Sequence, residues 1–94
     1  MNDPRLLHLH PEDNVCAATE TLAAGLELEF EGSTLRVARE VPLGHKIAVR
    51  PVETGEKVRK YGASIGSATC SIAPGEHVHL HNLASDYLPP EGRS

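Results

Sequence analysis

The stretch Val41-Pro42-Leu43-Gly44-His45-Lys46-Ile47 shows a pattern that recurs through most of this 94-residue chain. An apolar residue is followed by two further residues, a glycine, two more residues and a second apolar residue. The same pattern returns at 22–28, 52–58 and 72–78. A glycine at this place suits a tight turn with positive φ, and the prolines at 42 and 74 suit the residue that opens such a turn. We therefore predict a strand, a tight turn and a strand, repeated four times.

Short β-branched or alternating runs lie between these predicted turns. Glu31-Gly32-Ser33 is predicted to be the hairpin turn that joins the second run to the third. Strands this short and this numerous favour a compact, irregular all-β domain over a regular sandwich. The predicted strands are Leu6 to Leu9, Leu26 to Phe30, Thr34 to Ala38, Lys46 to Val49, Lys57 to Lys60 and His77 to His81.

One short helical segment is predicted at Asp13 to Leu22. Either Asp13 or Asn14 can cap its first turn, and the apolar side chains at 15, 18 and 22 recur at helical spacing. The prolines at 89 and 90 cannot continue a sheet. We therefore expect a single domain over residues 1–84, followed by an extended C-terminal arm over residues 85–94.

The composition argues against two classes of partner. The net charge is -4 with histidine neutral, and the Lys and Arg residues are scattered along the chain, which argues against nucleic-acid binding. No apolar run approaches the length of a membrane span, and the first residues lack the basic segment and apolar stretch of a signal peptide. We therefore predict a cytoplasmic protein that does not contact a membrane.

Three residues outside the predicted strands are expected in or near the core. Cys16 and Cys70 lie among small residues without metal-type spacing, so both are predicted to be reduced core thiols. Tyr61, one of only three aromatic residues, is predicted to pack in the core with its hydroxyl at the rim. A core with so few large side chains often depends on a partner for stability.

Three histidines alternate with other residues in Glu76-His77-Val78-His79-Leu80-His81-Asn82. In an extended strand, successive side chains point in opposite directions, so the three imidazoles would lie on one face. Because neutral imidazole is a common ligand of divalent metals, this face is a candidate metal or anion site. The alternative is a solvated strand edge. His8 and His10 would join the site if the first strand paired beside this one.

Two further places have side chains suited to chemistry. At Gly44-His45-Lys46, the lysine can pair with an anion and the histidine can donate a hydrogen bond or carry a proton, although an ordinary polar turn is the simpler explanation. Asp13-Asn14 can hold a polyhydroxylated substrate, although capping also explains this pair. No nucleophile elbow, phosphate-binding glycine loop or Cys-x-x-Cys pair is present. The chain alone therefore lacks a complete catalytic constellation.

Four motifs in order resemble one known family. They are Leu9-His10-Pro11-Glu12-Asp13-Asn14-Val15, Val41-Pro42-Leu43-Gly44-His45-Lys46-Ile47-Ala48, Lys60-Tyr61-Gly62-Ala63-Ser64-Ile65-Gly66 and Gly75-Glu76-His77-Val78-His79-Leu80-His81-Asn82-Leu83. The chain is similar to the amino-terminal domain, or separate small subunit, of the altronate and galactarate dehydratases, a SAF-type domain with a β-clip fold. The similarity covers about residues 6 to 84, and the ordered set is far more specific than any single motif.

This resemblance implies a lyase that removes water from a sugar acid. The proton α to the carboxylate is taken and the β-hydroxyl is expelled, which gives a 2-keto-3-deoxy acid. The resemblance also implies a divalent metal, commonly iron(II), with manganese or magnesium as alternatives. Longer family members continue into a much larger carboxy-terminal domain, so a separately encoded large subunit is the expected partner. A homo-oligomer is left open.

The resemblance and the residue chemistry together give a predicted site. Catalytic roles are predicted for His45 and Lys46. Metal contact is predicted for His77, His79 and His81, and substrate contact for Lys46, Asn82, Asp13 and Asn14. Three alternatives are kept: the small subunit of a sulfolactate sulfo-lyase, where sulfite leaves in place of hydroxide, a non-catalytic metal- or carboxylate-binding module, and a purely structural subunit.

Overall fold

The computed structural model describes residues 2–85, which form three small antiparallel sheets. These residues contain no helix, and therefore none with the length and apolar character of a membrane span. The all-β prediction is confirmed, while the predicted arm from residue 86 onward lies outside the described residues. The strands are β1 Leu6–Leu7, β2 Val15–Ala18, β3 Glu27–Phe30, β4 Ser33–Arg36, β5 Lys46–Ala48, β6 Lys57–Lys60, β7 Ala63–Ala68, β8 His77–Val78 and β9 Leu83–Ala84.

The sheets combine local hairpins with one long-range sheet. The four-stranded sheet has the order β1-β2-β5-β8, and the other two have the orders β3-β4 and β6-β7-β9. Both hairpins, β3-β4 and β6-β7, close through two residues with positive φ, Glu31-Gly32 and Tyr61-Gly62. This is the geometry that matches the twist of paired strands. The predicted hairpin turn at Glu31-Gly32-Ser33 is therefore confirmed.

The four repeated turns are linked in two pairs. The first apolar residues of two repeats, Leu22 and Val41, exchange backbone hydrogen bonds of 2.8 and 2.9 Å, and Val52 and Ile72 do the same. The predicted tight turns are confirmed, because φ at the four glycines lies between 84° and 95°. These glycines are Gly25, Gly44, Gly55 and Gly75.

The predicted helix at Asp13 to Leu22 is wrong, because Val15–Ala18 forms strand β2. All four residues of β2 are buried. Cys16 and Ala18 belong to one apolar cluster and Val15 to a second, so both faces of the strand are covered. A strand buried on both faces lacks the alternation of apolar and polar residues that identifies a half-exposed strand.

Two of the three residues expected in the core lie at the surface. Cys16 is fully buried, and burial raises the pKa of its thiol to about 12, so it is unreactive at neutral pH. Cys70 is exposed, and Tyr61 is 49% exposed with the Lys60 Nζ 4.9 Å from its ring centroid. The core predictions for Cys70 and Tyr61 are wrong because both residues lie in connections between strands, which run over the surface.

Gly75 is the turn glycine whose replacement should cost the most stability. Its φ is 95°, and an added Cβ would overlap the carbonyl oxygen of Arg36. We expect Gly75→Ala to lower the free energy of unfolding by about 2–4 kcal/mol, because this clash adds to a left-handed backbone strain of about 1–2 kcal/mol. Gly55→Ala is the matched control, since φ is 85° there and the space is open. Urea denaturation should show the larger loss for Gly75→Ala, and equal losses would contradict the packing argument.

Candidate metal centre

Three imidazoles meet where β5 pairs with β8. Ile47 of β5 lies opposite His77 of β8, while His45 directly precedes β5 and His79 directly follows β8. One ring nitrogen from each of the three histidines lies within 4.8 Å of the others. Imidazole nitrogens bind a zinc-like ion at about 2.0–2.1 Å, so nitrogens on one ion are separated by at most about 4 Å. A small movement of the rings would therefore bring all three nitrogens to one divalent ion.

The three rings are stacked, and two of them are joined by a hydrogen bond. The His45 Nδ1 and the His77 Nε2 are 2.9 Å apart, and the centroids of His45 and His79 are 4.4 Å apart. In a hydrogen bond between two ring nitrogens, one donates and the other accepts, so the accepting ring has an unprotonated nitrogen. An unprotonated nitrogen is what a metal ion binds.

The surroundings of this cluster favour neutral side chains. Burial lowers the pKa of His77, and the neighbouring histidines and Lys46 lower it further. The pKa of His79 is lowered first by loss of solvent and then by the charges of His45, Lys46 and His81. Lys46 is half-buried, and its pKa is lowered by burial and then by Lys60. Each of these shifts opposes protonation, so the cluster is suited to bind a cation at neutral pH.

Asn82 fixes the turn that presents the histidines. It is 4% exposed, its Nδ2 donates to the carbonyl of His77 at 2.9 Å, and its Oδ1 accepts from the backbone N–H of His79 at 2.9 Å. Both ends of the amide are therefore bonded to the backbone on either side of Val78. The role of Asn82 as a substrate contact stays a prediction.

The strand predicted from His77 to His81 ends at Val78, where the turn held by Asn82 begins. His81 therefore lies outside the cluster of three, with its ring centroid 5.5 Å from that of His77 and tilted by 39°. Its role as a metal ligand stays a prediction. The third nitrogen comes from His45, for which the sequence had suggested a catalytic role. One feature of the sequence could have connected His45 with His77: each follows a turn glycine of the repeated pattern within two residues.

Asp13 and Asn14 are bonded to the β6-β7 hairpin. The Asp13 side chain is 1% exposed, and its carboxylate accepts from the two backbone N–H groups of Tyr61-Gly62 at 2.8 and 2.7 Å. The Asn14 amide donates to the carbonyl of Lys57 and accepts from the N–H of Arg59. These two bonds lie on either side of Val58, where the register between β6 and β7 shifts. Neither residue caps a helix, and their contact with substrate stays a prediction.

The histidines near the amino end do not join the cluster. Strand β1 pairs with β2 at one edge of the four-stranded sheet, and β8 forms the opposite edge. The His8 ring packs edge-on against Phe30, and its Nε2 is 3.0 Å from the carbonyl oxygen of Asp13. His10 lies against Gly62. Pairing of the first strand with the strand of His77 is therefore ruled out.

The metal-free chain should lose stability on acidification through His77. The pKa of His77 is lowered in the fold, so near its ordinary value of 6.5 the unfolded chain binds more protons and the free energy of unfolding rises with pH. The contribution of His77 to the free energy of unfolding is complete above pH 6.5. It is lost as the pH falls through the lowered pKa that His77 has in the folded chain. Urea unfolding between about pH 5 and about pH 8 should show a steeper pH dependence for the wild type than for His77→Gln. Equal slopes would contradict the assignment.

Comparison with known proteins connects this domain to lyases. A family model described as the altronate/galactarate dehydratase SAF domain matches residues 4–86. Altronate dehydratase of Escherichia coli (strain K12) is 41% identical over 80 residues, which cover 85% of this chain and 16% of that enzyme. The altronate dehydratase of Bacillus subtilis (strain 168) is 36% identical with the same coverage. The chain thus spans about a sixth of the length of these relatives.

Another relative has a name that gives a different substrate, sulfolactate. The (2R)-sulfolactate sulfo-lyase subunit alpha of Chromohalobacter salexigens is 45% identical over 56 residues, which cover 60% of this chain and 54% of that subunit. The family match includes the hairpin held by Asp13, the turn before His45 and the turn closed by Asn82. Since it covers nearly all of the described fold, this chain belongs to the altronate/galactarate dehydratase SAF domain family.

Proposed function

We propose that this chain is the metal-binding part of a lyase that removes water from a sugar acid, and that a separate, larger polypeptide completes the reaction centre. The observation that carries the proposal is the convergence of three imidazole nitrogens within 4.8 Å, from His45, His77 and His79. The match to altronate dehydratases supports the reaction class, because it covers 85% of the chain against 60% for the sulfo-lyase subunit.

The three histidines would hold the metal ion. Imidazole donors suit iron(II) and similar transition ions, whereas magnesium and manganese favour oxygen ligands, so we propose iron(II). When bound, the ion would supply Lewis-acid stabilisation of the negative charge that develops as the α-proton leaves and as the β-hydroxyl departs. Because neutral histidines bind metal without first losing a proton, the lowered pKa values of His77 and His79 fit this donor set.

Lys46 would bind the substrate carboxylate beside the imidazoles. Its backbone lies opposite Val78 in the β5-β8 register, and its charge helps to lower the pKa values of His77 and His79, so its ammonium is within electrostatic reach of both rings. An ammonium group can form charge-assisted hydrogen bonds with a carboxylate. The lowered pKa of Lys46 increases the fraction of neutral amine, and a lysine in that form, in place of the ammonium that pairs with a carboxylate, can accept the α-proton.

Apolar side chains near the cluster support the presence of a second polypeptide. Leu43 is 63% exposed two residues before His45, and Leu80 is 84% exposed directly after His79. Exposed apolar groups next to a polar site are typical of a surface that a partner covers. The partner would exclude water from the reacting groups and supply those that this domain lacks.

A second candidate is the alpha subunit of a sulfolactate sulfo-lyase. The observation that favours it is the 45% identity with a named subunit of that enzyme. The same metal and the same lysine would act on a sulfonated acid, with sulfite as the leaving group. Release of sulfite in place of water would identify this alternative.

The test is co-purification with a large subunit encoded beside this chain, followed by metal analysis and a screen of hexonates, hexarates and sulfolactate. We expect a stable complex, bound iron and formation of a 2-keto-3-deoxy acid from a sugar acid. A complex that contains no metal at the three histidines, or that produces only sulfite, would contradict the dehydratase proposal.

A further inference from the structure

A cavity of about 460 Å³ opens beside the histidine cluster. His77 belongs to both the cluster and the cavity wall. The wall also carries a guanidinium, a hydroxyl and an imidazole, which are groups that bind oxygen-rich ligands. They belong to Arg39, Ser71 and His81.

Arg39 has no partner for its charge among residues 2–85. Arg59 likewise forms no ion pair within the described residues, whereas Arg5, Arg36 and Arg50 each form one with a carboxylate, at distances between 2.9 and 3.8 Å. Glu76 lines the same cavity, but its Oε1 accepts from the backbone N–H of Ala73 at 2.7 Å and so faces its own turn. Arg39 therefore brings to the cavity a guanidinium that no carboxylate of the described residues holds in an ion pair.

Close backbone packing places Arg39 at this cavity. The N–H of Ala38 donates to the carbonyl of Gly75 at 2.9 Å, and the N–H of Gly75 donates to Ala48 of β5 at 2.8 Å. A side chain at Gly75 would overlap the carbonyl oxygen of Arg36. Because Gly75 lies two residues before His77, the absence of a Cβ there lets the segment that carries Arg39 pack against the entry to β8.

We propose that Arg39 binds the second acidic group of a hexarate, a six-carbon sugar acid with a carboxylate at each end, whose first carboxylate lies at the histidine cluster that shares His77 with the cavity. This inference rests on the proposed function. The planar guanidinium matches a carboxylate through two parallel hydrogen bonds. Ser71 and His81 are positioned along the cavity wall to bond the hydroxyl groups between the two carboxylates. A substrate with one carboxylate would leave Arg39 unpaired.

The test uses three ligands with the same hydroxylated carbon chain and two, one or no terminal carboxylates: galactarate, galactonate and galactitol. Their binding to the isolated 94-residue chain is measured by NMR titration, with and without Zn²⁺ as a diamagnetic stand-in for iron(II). We expect galactarate to bind about tenfold or more tightly than galactonate, the equivalent of one charge-assisted contact. Arg39→Gln should remove this difference and leave galactonate binding within about twofold of wild type.

Arg59→Gln is the matched control, because it removes the same charge from an exposed arginine outside the cavity. It should leave the preference for galactarate unchanged. Equal binding of galactarate and galactonate by the wild type, or an equal loss for both ligands in Arg39→Gln, would overturn the inference. Sulfolactate is added to the three sugar ligands as a further probe. If it binds more tightly than galactarate and this affinity depends on Arg39, the guanidinium binds a sulfonate, and the hexarate assignment is overturned.

The two proposals fail in different ways. The proposed function fails if Zn²⁺ binds equally well to the wild type and to His79→Ala. The inference on Arg39 fails if the number of carboxylates does not affect binding, whatever the behaviour of the metal. The titration without Zn²⁺ measures the contribution of Arg39 separately from the histidines.

Discussion

His79→Ala should reduce the turnover of the assembled enzyme by about 10²- to 10⁴-fold. The variant removes one of three metal ligands, and Lewis-acid stabilisation by a bound ion contributes several kcal/mol to the transition state, where each 1.36 kcal/mol is a factor of about ten in rate. The fold should tolerate this change. The Asn82 bond that closes the turn uses the backbone N–H of His79, and the imidazole lies on a half-exposed loop.

Turnover and bound metal should fall together in His79→Ala, while the free energy of unfolding of the metal-free chain should change little. His10→Ala is the matched control, since His10 is exposed and lies against Gly62, away from the cluster. It should retain wild-type turnover and metal content. Full activity in His79→Ala with normal assembly would exclude this histidine from the mechanism and leave a structural role for the domain.

Asp13→Ala should have the largest effect on stability, with a loss of about 2–6 kcal/mol. The substitution leaves two partly buried backbone N–H groups of the Tyr61-Gly62 turn without their acceptor, at about 1–3 kcal/mol for each. Small domains have only about 5–15 kcal/mol in total, so a large part of the stability would be lost. Asp13→Asn keeps one amide oxygen as an acceptor and should lose about half as much.

Urea denaturation monitored by circular dichroism measures these losses. Glu12→Ala is the neighbouring control, because the Glu12 side chain is exposed, and it should unfold like the wild type within about 0.5 kcal/mol. A loss below about 1 kcal/mol for Asp13→Ala would mean that the hairpin is held by packing and that the carboxylate has another role.

Local chemistry made the turns and hairpins predictable from the sequence. A glycine such as Gly44 or Gly75 meets a conformational requirement at its own position, so no knowledge of distant residues was needed. The same holds for β6, whose predicted and observed bounds agree at Lys57–Lys60. Strand β7 was missed because its six residues are mostly small, and β9 because it has only two residues.

Long-range pairing made the rest of the fold and site unpredictable. The sequence indicated an imidazole site around His77 and His79. The third histidine, His45, joins them only because β5 pairs with β8, and His45 lies 32 positions before His77 in the chain. The capping role of Asp13 was plausible as long as β2 was taken for a helix. Its actual partners, in the turn at Tyr61-Gly62, are 48 and 49 positions away.

The measurement that tests the metal centre most directly is X-ray absorption spectroscopy of the isolated chain loaded with one equivalent of Fe²⁺ under anaerobic conditions. We expect three imidazole nitrogens at about 2.0–2.2 Å from the iron in the wild type, and two in each of His45→Ala, His77→Ala and His79→Ala. An iron environment made only of oxygen ligands, or one that does not change in any of the three variants, would contradict metal binding by this cluster.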